Sequence, residues 1–224
     1  MTPQELAARI DHTVLKPEAV PGDIDRLCDE ALEHGFVAVC VNPLWVRRCH
    51  DRLANSNTRV CSVIGFPLGA SRTLVKVDET RWAIDDGAVE IDMVIRLGDL
   101  IAGNTGEVRD DIAAVADAVH AASPDHLLKV ILETAALSEA QIIAGCRCIA
   151  EAQADFAKTS TGFHPAGGAT PETVRLLHKH VAPIKVKAAG GIRDLATATA
   201  MLEAGADRVG CSASVKILRD LGSG

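Results

Sequence analysis

Hydrophobic and polar positions along the chain switch between two periods. Ile24, Leu27, Cys28, Ala31 and Leu32 recur at i, i+3, i+4, i+7 and i+8, one apolar helical face behind Asp23 as its expected N-cap, and Ile112, Val115, Ala116 and Val119 repeat the pattern. Between such stretches lie short β-branched runs that close on polar residues or glycine. Four junctions share one form, a helix end, a small or Gly-containing break and a strand: EHGFVAVCVN (33–42), DDGAVEIDMVI (85–95), EAQADFAKTS (151–160) and EAGADRVGCS (203–212). Gly35, Gly87 and Gly205 suit the left-handed conformation that ends a helix. Further strands are predicted at 9–15, 59–65, 127–133 and 184–189, which makes eight. Alternating strands and helices imply a parallel sheet with right-handed crossovers, and eight units favour closure. The expected fold is therefore α/β, a (β/α)8 TIM barrel, with an open doubly wound sheet as the alternative. No linker or shift of composition interrupts residues 1–224, so a single domain is expected.

Composition narrows the function. Of the 224 residues 48% are hydrophobic, enough for a sizeable core, and 23 Lys plus Arg against 30 Asp plus Glu give a formal charge of −7. With no local basic cluster, nucleic acid is not an expected partner. The longest stretch free of charged residues, 159–171, is polar and glycine-rich, so no membrane span is expected. The first ten residues carry charges rather than a leader pattern, and a cytoplasmic location follows as the expectation. Seven cysteines without a CxxC pair read as reduced thiols, and eight histidines without HExxH give no metal signature, so neither a metal nor a cofactor is expected.

In such a barrel the chemistry sits at the C-terminal ends of the strands. The predicted strands carry Asp11 and Thr13, Cys40 and Asn42, Glu90 and Asp92, Glu133, Lys158, and Lys185 and Lys187. Alternation puts Glu90 with Asp92, and Lys185 with Lys187, on one face. Lys158 and Lys187 lie in neighbouring strands, so two ammonium groups would be held close in a water-poor mouth. Repulsion and desolvation both disfavour the charged form, and a free amine can attack a carbonyl. A passive ion network with Asp92 and Glu133 fits the same spacing. Asp92, set among apolar residues, needs a lysine partner, and either proton relay or a structural salt bridge would satisfy it. Ser160-Thr161-Gly162, Gly190-Gly191 and Gly210-Cys211-Ser212 together offer backbone amides to a phosphate, although singly Gly190-Gly191 reads as a tight turn and Ser212 as an N-cap. Cys40 faces the same mouth, most simply as a small buried apolar residue.

These segments closely resemble a known family. IDHTVLKP (10–17), EIDMVI (90–95), FAKTSTGF (156–163) and VKAAGGIR (186–193) are similar to the deoxyribose-phosphate aldolases over nearly the whole chain. The resemblance implies a metal-independent class I aldolase on a (β/α)8 barrel. Its reaction reversibly cleaves 2-deoxy-D-ribose 5-phosphate to D-glyceraldehyde 3-phosphate and acetaldehyde. It also implies Lys158 as the Schiff-base lysine, Lys187 as the lysine that tunes it and Asp92 as the acid–base residue. Phosphate contacts are implied at Gly162, Gly190, Gly191 and the turn of Gly210 and Ser212, with Thr13, Cys40 and Thr161 near the sugar. The partner is then a small-molecule phosphosugar, with a homodimer as the candidate assembly. Three departures stand out: there is no tyrosine and the sequence ends LGSG (221–224), the loop FHPAGGAT (163–170) is one residue longer than the commoner form, and Ala213 replaces a usual serine. Any C-terminal tyrosine contribution found in some members is therefore not expected. Two other readings remain open at this point, another class I barrel aldolase and a non-catalytic phosphosugar-binding barrel.

Overall fold

The computed structural model describes residues 1–222. Eight parallel strands pair in sequence order and close on themselves: β1 (Ile10–Val14), β2 (Ala38–Val41), β3 (Arg59–Ile64), β4 (Glu90–Val94), β5 (Leu127–Ile131), β6 (Phe156–Lys158), β7 (Lys185–Ala189) and β8 (Arg208–Cys211). β8 pairs back onto β1 through Ile10 and Val209, so no strand edge is left open. The expected (β/α)8 TIM barrel is the fold observed, and the open sheet is excluded.

Local sequence explains the punctuation. Gly35 ends the helix Pro21–His34 in the left-handed conformation (φ 70, ψ 36), which glycine adopts without a Cβ penalty. At the other end of that helix Pro21 takes the first position, and Asp23 is not the N-cap expected. It sits in the first turn and accepts a hydrogen bond from Val20 N at 3.1 Å. β5 stops at Ile131, two residues short of the predicted end, because Glu133 adopts a left-handed φ of 59 and starts a turn. The residues of LGSG numbered 223–224 lie outside those described.

Strand parity divides the interior into two layers. One set of strand residues, including Val39, Val41, Ile64, Ile91, Met93, Val130 and Val186, packs outward against helix residues such as Ile24, Leu27, Ile112 and Val115 to form the apolar core, each at most 1% exposed. Burying a side chain of this size contributes roughly 1.5–3 kcal/mol, so this layer carries most of the stability. The alternate residues point into the lumen, where branched aliphatics usually dominate. Here they are largely ionic. Asp11, Glu90, Asp92, Lys129 and Lys187 are all 0% exposed, and Cys40, Cys61 and Val63 fill the space beside them.

Candidate active site

Asp92 on β4 collects three ammonium groups. Lys158 Nζ and Lys187 Nζ each lie 2.7 Å from its Oδ2, and Lys129 Nζ lies 2.9 Å from its Oδ1. Strand register sets this up: Asp92 is the Cα partner of Lys129, and Lys158 is the Cα partner of Lys187. Below them Lys187 reaches Asp11 Oδ2 at 2.5 Å, and Lys129 reaches Glu90 Oε2 at 2.6 Å. Arg208 then joins Asp11 (2.9 Å) to Glu90 (3.1 Å), and Arg59 adds a second guanidinium on Glu90 at 3.2 Å. Five cationic side chains thus share three carboxylates inside the barrel.

The charge states follow from competition between burial and neighbours. Burial alone would raise the Asp92 carboxyl, but Lys129, Lys158 and Lys187 hold it well below the usual carboxylate range. Asp11 is lowered in the same way, with burial overcome by Lys187, Lys129 and Arg208. Burial would strip Lys187 of its proton, yet Asp11 and Asp92 raise it above the ordinary lysine value. The expectation that repulsion and desolvation would disfavour both ammonium groups is therefore corrected for Lys187. Two carboxylates within 2.7 Å outweigh them.

Of the three lysines on Asp92, only Lys158 lines an open cavity, about 330 Å³ at the C-terminal mouth. Thr13, Thr161, Gly162, Gly190, Gly191, Gly210 and Ser212, all singled out in the sequence, line it too. Gly162, Gly190 and Gly191 have positive φ (83, 91 and 81), turning the main chain tightly around the rim. A Cβ on Gly190 would stand 3.2 Å from Gly168 Cα and 3.3 Å from Gly162 Cα, so the long loop after β6 rests backbone to backbone on the turn after β7. Gly210 has a different role from the turn residue expected. It lies within β8, and a Cβ there would come within 3.0 Å of Lys187 Cε, so the missing side chain makes room for the lysine. Ser212 is exposed and is not an N-cap, since the following helix begins at Ser214.

Other predicted residues sit beside the cavity or away from it. Cys40 is buried behind the site, its Sγ 4.0 Å from Asp92 Oδ2, and does not line the cavity. Glu133 meets no lysine; it accepts hydrogen bonds from the Thr161 amide at 3.2 Å and from the Thr161 hydroxyl, fixing the start of the long loop. Lys185 opens β7 at the opposite end of the barrel, exposed, with Nζ 5.7 Å from the Phe156 ring centre. It shares a face with Lys187 but not the mouth. Sequence reasoning missed Lys129, which sits mid-strand in LLKVILE rather than at a strand end, and Lys16, a rim cation that joins Arg193 on the cavity wall. A lysine inside an otherwise apolar strand was the signal for the first.

Two alternatives for the chemistry are weaker. Cys40, Cys61 and Asp92 bring their sulfur and oxygen atoms within 4.8 Å of one another, close enough to share a metal ion, but a cation there would face three ammonium groups already on Asp92. A larger groove of about 580 Å³ lies between Leu68–Leu74 and Arg96–Asp99, and its wall contains no buried ionisable side chain.

Comparison with known proteins gives the family. The DeoC/LacD family aldolase model matches residues 6–220. The deoxyribose-phosphate aldolase of Brevibacillus brevis is 53% identical over 210 residues, 93% of each chain. That of Thermococcus kodakarensis is 51% identical over 221 residues, 97% of each. Among solved structures, the tetrameric deoxyribose phosphate aldolase of Aeropyrum pernix superposes with a TM-score of 0.92 at 32% identity, covering 99% of this chain and 93% of that one. With a shared barrel and identity near one half along almost its full length, the chain belongs to the DeoC/LacD family of aldolases.

Proposed function

We infer that the protein is a class I aldolase that reversibly cleaves 2-deoxy-D-ribose 5-phosphate to D-glyceraldehyde 3-phosphate and acetaldehyde. The observation that carries this reading is Lys158 Nζ on the cavity wall, sharing Asp92 Oδ2 with Lys187. Lys158 contacts a single carboxylate, whereas Lys187 contacts two, so a free amine at Lys158 gives up one ion pair where one at Lys187 would give up two. As a free amine it adds to C1 of the open-chain sugar, and loss of water leaves an iminium. Removal of the C3 hydroxyl proton lets the C2–C3 bond break. The electron pair flows into the iminium, glyceraldehyde 3-phosphate departs and an enamine remains on Lys158. Protonation at C2 and hydrolysis release acetaldehyde and return the amine.

Asp92, on Lys158 through Oδ2, is the proposed acid–base residue for these protons, with the Lys187 ammonium on the same oxygen as their source. Phosphate is anchored by the turns at Gly162, Gly190, Gly191 and Ser212, with Lys16 and Arg193 at the rim in place of the usual serine at Ala213. Binding energy from the unreacting phosphate then positions C1 against Lys158. The passive-network reading accounts for the ion pairs but not for one lysine being turned into a cavity.

Borohydride reduction with acetaldehyde, followed by peptide mass spectrometry, is expected to place the adduct on Lys158. An adduct on Lys187 or Lys129, or none on folded protein, would refute the assignment. For location we propose the cytoplasm: the seven unpaired cysteines fit a reducing compartment, and no helix among the described residues is long and apolar enough to cross a membrane. For assembly we propose a homodimer, because Leu74, Val75 and Trp82 are 72%, 54% and 69% exposed along one side of the helix Thr73–Asp85. A monomeric mass by sedimentation at micromolar concentration would reject it.

A further inference from the structure

The ion column does not end at the cavity. It continues through Asp11 and Glu90 to Arg208 and Arg59, which do not line the cavity at the mouth. Arg208 is 11% exposed and borders a separate hollow of about 440 Å³ shared with Arg9, Arg59, Lys185 and Phe156. Neither Arg208 nor Glu90 lines the cavity at the mouth.

We propose that Arg208 and Glu90 are positioning residues that set the pH at which Lys158 becomes a free amine. The inference rests on the aldolase reading. Its basis is a relay of ion pairs: Arg208 holds Asp11 Oδ1, which leaves Oδ2 for Lys187, and Lys187 divides its charge between Asp11 and Asp92. Lys158 competes with Lys187 for the same Asp92 oxygen. With five cations on three carboxylates, the column holds an excess of positive charge. That excess is relieved where a proton can leave, at the one lysine with a single carboxylate contact and access to the cavity. Arginine keeps its proton throughout, so Arg208 and Arg59 act as fixed positive charges at the closed end.

Every strand contributes a group to this balance. Lys158 on β6 meets Asp92 from β4, which it shares with Lys129 from β5 and Lys187 from β7, and Glu90 from β4 stands behind them on Lys129. Asp11 from β1, Cys40 from β2, Cys61 and Arg59 from β3 and Arg208 from β8 complete the ring, with Glu133, Lys16 and Arg193 above it. Cys61 is pushed up by burial and stays a thiol, so it contributes no charge at neutral pH. Two strand spacings, on the order of 10 Å, separate β8 from β6. A unit charge at that distance in a protein interior shifts a titration by roughly one pH unit.

The test is the pH dependence of adduct formation on Lys158, by borohydride trapping with acetaldehyde, in Arg208→Gln, Arg208→Lys and Glu90→Gln. Removing the Arg208 charge should move the midpoint up by roughly one unit, and removing the Glu90 charge should move it down by a similar amount. Arg208→Lys should return it toward the wild type. A packing role cannot give shifts of opposite sign for the two members of one ion pair. If Arg208→Gln does not fold, Glu90→Gln compared with Glu90→Gln/Arg208→Gln makes the same contrast. The midpoint should fall in the first and recover in the second, which removes one charge of each sign. KM for the phosphosugar should stay at the wild-type value, since neither side chain lines the cavity. Folded variants with the wild-type midpoint, or with shifts of the same sign, overturn this inference alone. No adduct on Lys158 in the wild type at any pH overturns the aldolase reading and this inference together.

Discussion

On the proposed mechanism, Lys158→Met is expected to abolish adduct formation and to lower kcat/KM by at least ~10⁴-fold, because neither of the other two lysines on Asp92 opens onto the cavity. Lys187 and Lys129 are closed off from the cavity, and each is held as an ammonium by two or more carboxylates. Stability should move the other way. The substitution removes one of five cations from a column with only three carboxylates and fills its place with an apolar chain of similar length. The expected thermal midpoint is therefore equal to or above that of the wild type. Activity within tenfold of the wild type would reassign the nucleophile, and a large drop in thermal stability would mean that Lys158 is chiefly a structural partner of Asp92.

Asp92→Asn should be damaging on both counts. It leaves Lys129, Lys158 and Lys187 around an amide, with Asp11 and Glu90 the nearest remaining carboxylates. Breaking a buried pair from one side costs roughly 3–5 kcal/mol, which for a chain of this size lowers the thermal midpoint by on the order of 10 °C. The pH dependence of stability follows from the same contacts. Asp92 and Asp11 are lowered on folding, so their contribution is present above the ordinary carboxylate value of about 4 and is lost as the pH falls below it. Lys187 is raised, so its contribution is complete below about 10.4 and is lost as the pH climbs past that value. Calorimetry of the wild type should show a plateau between those limits, and the variant should show a weaker acid limb. A midpoint within 2–3 °C of the wild type, by the usual size scaling, would show that the three lysines are satisfied without Asp92.

Strands, helices and closure were legible because the chain writes them in two clear periods, and because helix-capping glycines such as Gly35 mark the changes. Lys158, Lys187 and Asp92 stood out in the sequence as charges near the C-terminal ends of predicted strands, where a barrel gathers its polar groups, and the structure brings the three together. What escaped notice depends on depth rather than on type. Lys129 sits two residues and Arg208 three residues before the strand ends that the barrel rule singles out, and only the stagger between strands shows that they reach the same column. Gly210 reads as a turn until Lys187 is seen against it. The pair Lys76 and Asp111, 2.6 Å apart and fully buried between two helices, has no sequence signature because its members are 35 positions apart on elements whose packing angle is a tertiary property.

The split between an apolar outer layer and an ionic lumen also says how this chain can be changed. Outward-facing strand and helix positions answer to volume, so each can be refilled or enlarged nearly independently of its distant neighbours. Lumen positions answer to a shared charge balance, and a substitution there invites a matching one elsewhere in the ring. Variation should therefore be single and scattered in the outer layer, but paired in the lumen. For anyone redirecting the enzyme to new aldehydes, the productive diversity lies in neither. It lies in the two loops that meet at Gly168 and Gly190, which shape the cavity without belonging to either layer.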